Sequence, residues 1–166
     1  MNKMSIGNDE KVIWQQLATI PDPEIPVVSI VDLGMIRGIT VDNGQVIVQL
    51  APTYNGCPAL EVIRMQIRAV LEQALRKNVE VQLIIDPPWT TDWISTEGLQ
   101  KLKEYGIAPP AGRKSTTGWR DDAANVSCPH CGSNSTELIS QFGSTPCKAL
   151  YRCTECLEPF DYFKCH

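Results

Sequence analysis

Two Cys-x-x-Cys pairs, Cys128-Pro-His-Cys131 and Cys153-Thr-Glu-Cys156, stand near the end of a 166-residue chain with residues 132–152 between them. Two short thiolate knuckles at that separation can close a four-sulfur tetrahedron around one metal ion, the ligand geometry of a structural zinc ribbon. A site closed by four protein ligands leaves no position for substrate, so such an ion builds a surface and performs no chemistry. The same four sulfurs suit an iron–sulfur centre, and spacing alone leaves zinc against iron open. Two separate redox pairs are disfavoured, because a redox Cys-x-x-Cys opens a helix beside a βαβ unit and these pairs lie among short strands and turns. His130, inside the first knuckle, is expected to face solvent, and His166 is expected not to ligate.

Composition sets the limits around that feature. Charged residues make up 20% and the net charge is −4, ordinary for a globular protein. Residues 113–166 carry six Lys/Arg and six Asp/Glu, so the ribbon region lacks the basic footprint that nucleic-acid binding requires. No apolar run is long enough to span a bilayer, and the first residues show no secretory h-region, so no membrane partner and a cytoplasmic location are expected. Seven cysteines in such a chain favour metal ligation or reactive thiols over a disulfide framework.

Ahead of the ribbon, hydrophobic periodicity predicts an α/β arrangement. Asn8 is the expected cap of a first helix reaching Ala18, with Ile13 and Leu17 on one face. Pro21, Pro23 and Pro26 then stiffen an extended segment. Strands are expected over Met35–Val41 and Gln45–Leu50, joined at Asp42-Asn43-Gly44, and again from Val79 to Asp86. Between them, Pro58 suits a first helical position, which puts Cys57 at the cap of a helix running to Lys77. A last short helix is expected over Thr96–Tyr105, closed by Gly106. Residues 109–125, rich in Pro, Gly, Ser and Thr, read as a linker; ribbon strands are expected over Glu137–Phe142, Ala149–Arg152 and Phe160–Lys164.

Cys57 at a helix start would sit where helix N–H groups and the helix dipole ease ionisation. Position alone leaves a second reading open, a small buried residue that happens to precede a helix. Asp22 and Glu24 are hard oxygen donors that could complete an iron site, or residues that cap turns in the proline-stiffened loop. Nucleophilic cysteine chemistry is weakly supported, since both histidines belong to the ribbon. No Glu-x-x-His pair and no Gly-rich dinucleotide fingerprint occurs, so no catalytic residues are assigned and the chain is expected not to be catalytic alone.

Asp22-Pro23-Glu24-Ile25-Pro26, Asp32-Leu33-Gly34, Thr53-x-x-x-Cys57-Pro58 and Asp86-Pro87-Pro88-Trp89, in that order, resemble the metal–sulfur cluster biosynthesis family. The resemblance covers residues 9 to about 107 and implies a reactive or carrier thiol at Cys57, supported by Asp22, Glu24 and Thr53, handling transient iron or an iron–sulfur cluster. The expected fold class is therefore α+β: a cluster-assembly-like domain over 1–108, with helices on a three- to four-stranded sheet; the linker over 109–125; and a four-cysteine zinc-ribbon β domain over 126–166. Cys147 and Cys165 remain as additional thiols, and the aromatic stretch Phe160-Asp161-Tyr162-Phe163 is expected to be divided between core and docking face.

The segment from Gln141 to Cys153, behind an Ala108-Pro109-Pro110-Ala111-Gly112 exit, is similar to the D-subunit family of bacterial phenylacetyl-CoA epoxidase systems over nearly the whole length. That similarity implies an accessory or maturation role in aerobic phenylacetate degradation, with the epoxidase reductase and oxygenase subunits as partners and a homodimer left open. A non-catalytic scaffold within the same complex is the alternative.

Overall fold

The alternation of Val46, Val48 and Leu50 demands a strand with one buried face. The first sheet is built around it in the computed structural model, which describes residues 6–42, 44–54, 56–110 and 126–164. Helix α1 (Ile6–Leu17) opens the chain. Asn8 lies within its first turn rather than capping it, because the helix begins three residues earlier than a cap at Asn8 requires. Strands β1 (Ile36–Asp42) and β2 (Gln45–Leu50) pair antiparallel through the expected hairpin. Helix α2 (Leu60–Leu75) then returns the chain to β3 (Asn78–Leu83), which lies parallel to β2 and completes the order β1-β2-β3.

The core of this unit gathers Ile13 and Leu17 of α1, Ile63, Ile67 and Leu71 of α2, and Val46, Val48 and Leu50 of β2, all fully buried. Burying each such side chain stabilises the fold by about 1.5–3 kcal/mol. The proline-rich loop is stitched to this core. Met35 N–H donates to the Ile30 carbonyl, Ala51 N–H to the Met35 carbonyl, and the buried Trp89 indole N–H to the Leu33 carbonyl at 2.8 Å. That last bond explains why the Asp32-Leu33-Gly34 and Asp86-Pro87-Pro88-Trp89 motifs occur together: one holds the other.

Two compact units divide the chain, Met1–Trp89 and Thr90–His166. Residues 90–108 group with the ribbon in this division, and a short strand within them pairs there. Helix α3 (Thr96–Glu104), capped by the Ser95 hydroxyl accepting the Gly98 N–H at 2.9 Å and closed at Gly106, leads into β4 (Ile107–Ala108). Strands β5 (Thr136–Ser140), β6 (Lys148–Cys153) and β7 (Pro159–Phe163) form an antiparallel ribbon, and β4 adds parallel to β7, giving the order β4-β7-β6-β5. The expected linker lies outside the described residues from 111 to 125.

The second unit has its own small core of Ala108, Val126, Cys128, Ala149, Tyr151, Cys153, Phe160 and Tyr162. Tyr151 stacks near Phe160 with centroids 6.0 Å apart and meets Tyr162 edge-on at 5.5 Å. Phe160, Tyr162 and Phe163 are all buried, so the expected division of that stretch between core and docking face is overturned: a domain this small needs every one of those rings inside. Among the described residues no helix is long and apolar enough to cross a membrane.

Candidate metal centre and thiol site

The ribbon brings Cys128, Cys131, Cys153 and Cys156 together, with their Sγ atoms all within 4.8 Å of one another. Cys128 and Cys156 sulfurs are 3.7 Å apart, Cys131 and Cys153 sulfurs 3.6 Å. A tetrahedron with metal–sulfur bonds of about 2.3 Å has edges of about 3.8 Å, so these two separations match the edges of a four-sulfur zinc site. They are free thiols. Each knuckle is closed by hydrogen bonds: Gly132 N–H to the Cys128 carbonyl at 2.9 Å in the first, Cys153 N–H to the Glu158 carbonyl at 3.0 Å in the second. In each, the residue after the second cysteine is left-handed, Gly132 at φ 78° and Leu157 at φ 64°. Glycine suits that position without a Cβ penalty, whereas Leu157 carries it.

The electrostatics ask for a cation. The Cys156 N–H points at the Cys153 sulfur, 3.5 Å away, and with the Glu155 N–H holds that thiol down to about 7. The Glu158 N–H favours ionisation of Cys156, yet desolvation and the sulfurs of Cys153, Cys131 and Cys128 push it up to about 12. Crowded sulfurs cannot all ionise together unless a positive ion neutralises them. His130 is exposed, outside the sulfur cluster, with its ring against Gly106. Cys147 is buried 3.1 Å from the Thr145 hydroxyl and also stands outside the cluster. Cys165 and His166 lie outside the described residues.

In the first unit, Cys57 sits in the loop between β2 and α2. The helix begins at Leu60 with Ala59 as its cap, so Cys57 precedes the cap instead of occupying it, and its carbonyl accepts the Leu60 N–H at 3.2 Å. The helix boundary and the surroundings both work against the easily ionised thiol expected at this position. Burial is the largest influence and pushes the thiol up; the Ala59 N–H opposes it; Glu24 and Asp22 raise it further, and the Tyr54 hydroxyl lowers it. Only 8% of Cys57 is exposed, which leaves a narrow opening to solvent.

Asp22 and Glu24 are thus brought within electrostatic reach of Cys57 from a loop more than thirty residues away in sequence. Asp22 is buried and also serves the structural role expected of a turn residue: its Oδ1 accepts the N–H groups of Glu24 and Ile25, each at 2.9 Å. Thr53 is buried at the start of the Cys57 loop. Tyr54 was not legible as a site residue, since an aromatic among the variable positions of Thr53-x-x-x-Cys57 carries no spacing signal.

Fold and site together define a class: an iron–sulfur-assembly-type domain followed by a four-cysteine zinc ribbon. Residues 10–83 match the family described as iron–sulfur cluster assembly protein, and residues 112–164 match the PaaD zinc beta ribbon domain. The chain is 50% identical over 153 residues, 92% of its own length and 91% of the relative's, to an Escherichia coli (strain K12) protein named as the D-subunit of 1,2-phenylacetyl-CoA epoxidase. It belongs to the phenylacetyl-CoA epoxidase D-subunit family. A Porphyromonas gingivalis protein named as an Fe-S protein maturation auxiliary factor is 34% identical over 104 residues, 61% of this chain and 97% of that one. A Bacillus anthracis domain of unknown function, solved by crystallography, shares 29% identity at a TM-score of 0.57, covering 61% of this chain and 97% of that chain.

Proposed function

We propose that this chain is a non-catalytic accessory component of the phenylacetyl-CoA epoxidase system and that it helps to assemble an iron–sulfur or iron centre in the reductase or oxygenase components, in the cytoplasm. The observation that supports the reading is that Glu24 and Asp22 lie within electrostatic reach of Cys57, in a chain with a relative named for iron–sulfur protein maturation. Cys57 offers one soft sulfur and the carboxylates offer hard oxygens. An incomplete, mixed donor set of this kind holds iron weakly, which suits cargo that must leave again.

The resting thiol is neutral because burial and the two carboxylates disfavour the thiolate. Loading iron therefore releases the proton from Cys57 Sγ, and unloading takes one back. Thr53, buried in the same loop, shapes the site. Zinc held by Cys128, Cys131, Cys153 and Cys156 would supply rigidity and no chemistry, and the ribbon it stabilises docks the client.

The test is assembly of the epoxidase reductase and oxygenase in the presence of the full chain or its Cys57→Ser variant. Loss of cluster or iron content with the variant supports the carrier reading. Unchanged content and unchanged activity remove it and leave the scaffold reading, which the low exposure of Cys57 favours. On that second reading Cys57→Ala is silent, while loss of any ribbon cysteine abolishes association.

A further inference from the structure

Among the described residues, one cysteine alone is exposed. Cys131 stands open to solvent, Cys156 is half-buried, and Cys57, Cys128, Cys147 and Cys153 are buried. The space beside Cys131 is open as well: a Cβ added at Gly132, the next residue, would meet nothing within 4 Å. The other three ligand sulfurs lie within 4.8 Å of it, and the Cys153 sulfur is 3.6 Å away. An accessible thiolate with a second sulfur in reach is where an oxidant attacks and where a disulfide can close.

The same four sulfurs hold structure beyond their own turns. Cys128 and Cys153 share a core with Ala108 of β4. Strand β4 pairs with β7 at Ile107–Asp161 and Ala108–Tyr162. Just before it, the His130 ring of the first knuckle covers Gly106, where a Cβ would stand 3.2 Å from His130 Cε1. Helix α3 leads directly into this segment. A domain this small depends on its metal to stay folded, so the state of the sulfurs is transmitted to β4 and α3.

We infer that the four-cysteine cluster is a peroxide-sensitive switch entered at Cys131, with Cys153 as the resolving thiol. The Cys131 thiolate attacks hydrogen peroxide: an S–O bond forms, the O–O bond breaks and hydroxide leaves, so Cys131 becomes a sulfenic acid. The Cys153 thiolate then attacks that sulfur: an S–S bond forms, the S–O bond breaks and a second hydroxide leaves. Two thiolates have given up two electrons, and one peroxide has taken them. Cys153 suits the second role because it is fully buried, receives the Cys156 N–H at 3.5 Å, and is reached from inside the cluster. With Cys131 and Cys153 joined, only Cys128 and Cys156 remain as thiolate donors, too few to keep zinc closed in. The ribbon then loosens and takes β4 and α3 with it; a thiol reductant and zinc restore them. None of this depends on Cys57 or on the accessory role proposed above.

The test adds hydrogen peroxide to zinc-loaded full-length chain beside a weak chromophoric zinc chelator, with dimedone trapping and mass spectrometry to map the thiols. The first sulfenic acid should fall on Cys131, a Cys131–Cys153 disulfide should follow, and zinc should be released in step with it. Hydrogen exchange should then show β4 and α3 losing protection while β1, β2 and β3 keep theirs, and dithiothreitol with zinc should reverse the loss. Cys131→His keeps a fourth ligand and removes the sulfur that is attacked, so peroxide-driven release should be lost. A first adduct on any other cysteine overturns the proposal, as does a disulfide that leaves out Cys153. Zinc that stays bound while free cysteine in the same solution is consumed, or leaves Cys131→His at the wild-type rate, overturns it too. If Cys131→His does not hold zinc, the order of adducts and the disulfide in the wild-type chain decide the question.

Discussion

The two regions use cysteine in opposite ways. In the ribbon, four sulfurs gather within 4.8 Å of one another, each pair presented by its own turn. In the front unit, one sulfur lies mostly buried before a helix, with two carboxylates for company. Four sulfurs make a complete ligand set for one ion; on the proposed reading, the single sulfur with two carboxylates is an incomplete one. The difference teaches that the same residue type serves closed ligation where four converge, and is governed by burial and neighbouring charge where one stands alone.

The largest expected effect separates the two regions by metal. Structural zinc contributes about 10–16 kcal/mol of folding free energy in small zinc domains, so Cys153→Ser or a strong chelator should unfold the ribbon. Hydrogen exchange should show the β1-β2-β3 unit still protected, because its core holds none of the four ribbon cysteines. Simultaneous loss of both regions would break the comparison. The reverse experiment, Ile67→Ala, should cost the front unit about 2–5 kcal/mol and leave zinc stoichiometry unchanged, read by denaturant melts and metal analysis.

A smaller effect sharpens the thiol half. The folded Cys57 titrates above its ordinary value, so its alkylation rate should still be climbing as pH passes 9, and at pH 8 it should trail a free cysteine. The sign for stability follows: the neutral thiol favours the fold below the unfolded value, and that contribution is lost as pH rises through the folded one. Glu24→Gln removes one repelling carboxylate and should move the alkylation profile toward lower pH; an unmoved profile would show that Glu24 does not face the sulfur. The smallest effect is structural: Ser95→Ala removes the α3 cap and should lower stability by about 1 kcal/mol, with Cys57 reactivity unaffected.

Much of this was legible in the amino-acid order because the signals were local. The hairpin at Asp42-Asn43-Gly44, the alternation through Val46, Val48 and Leu50, and the periodicity of Ile63, Ile67 and Leu71 each declare a backbone state within a few residues. The ribbon ligands declare themselves by spacing. What stayed hidden depends on contacts distant in sequence. Ile107 pairs with Asp161, and no local pattern says that this short strand belongs to the second unit. The surroundings of Cys57 include burial and the Glu24 and Asp22 carboxylates, which a helix-start position alone does not reveal. Phe142 and Phe160 look alike in sequence; one is 68% exposed and the other 4% because only the strand pairing decides which ring turns inward.

The central claim is that the chain carries one retained ion and one exchangeable cargo site. Metal analysis of protein purified without oxygen, wild type beside Cys57→Ser, tests it most directly. The account predicts one zinc per chain in both, with any iron present only in the wild type. Iron that persists in Cys57→Ser, or a ribbon that folds without zinc, would contradict it.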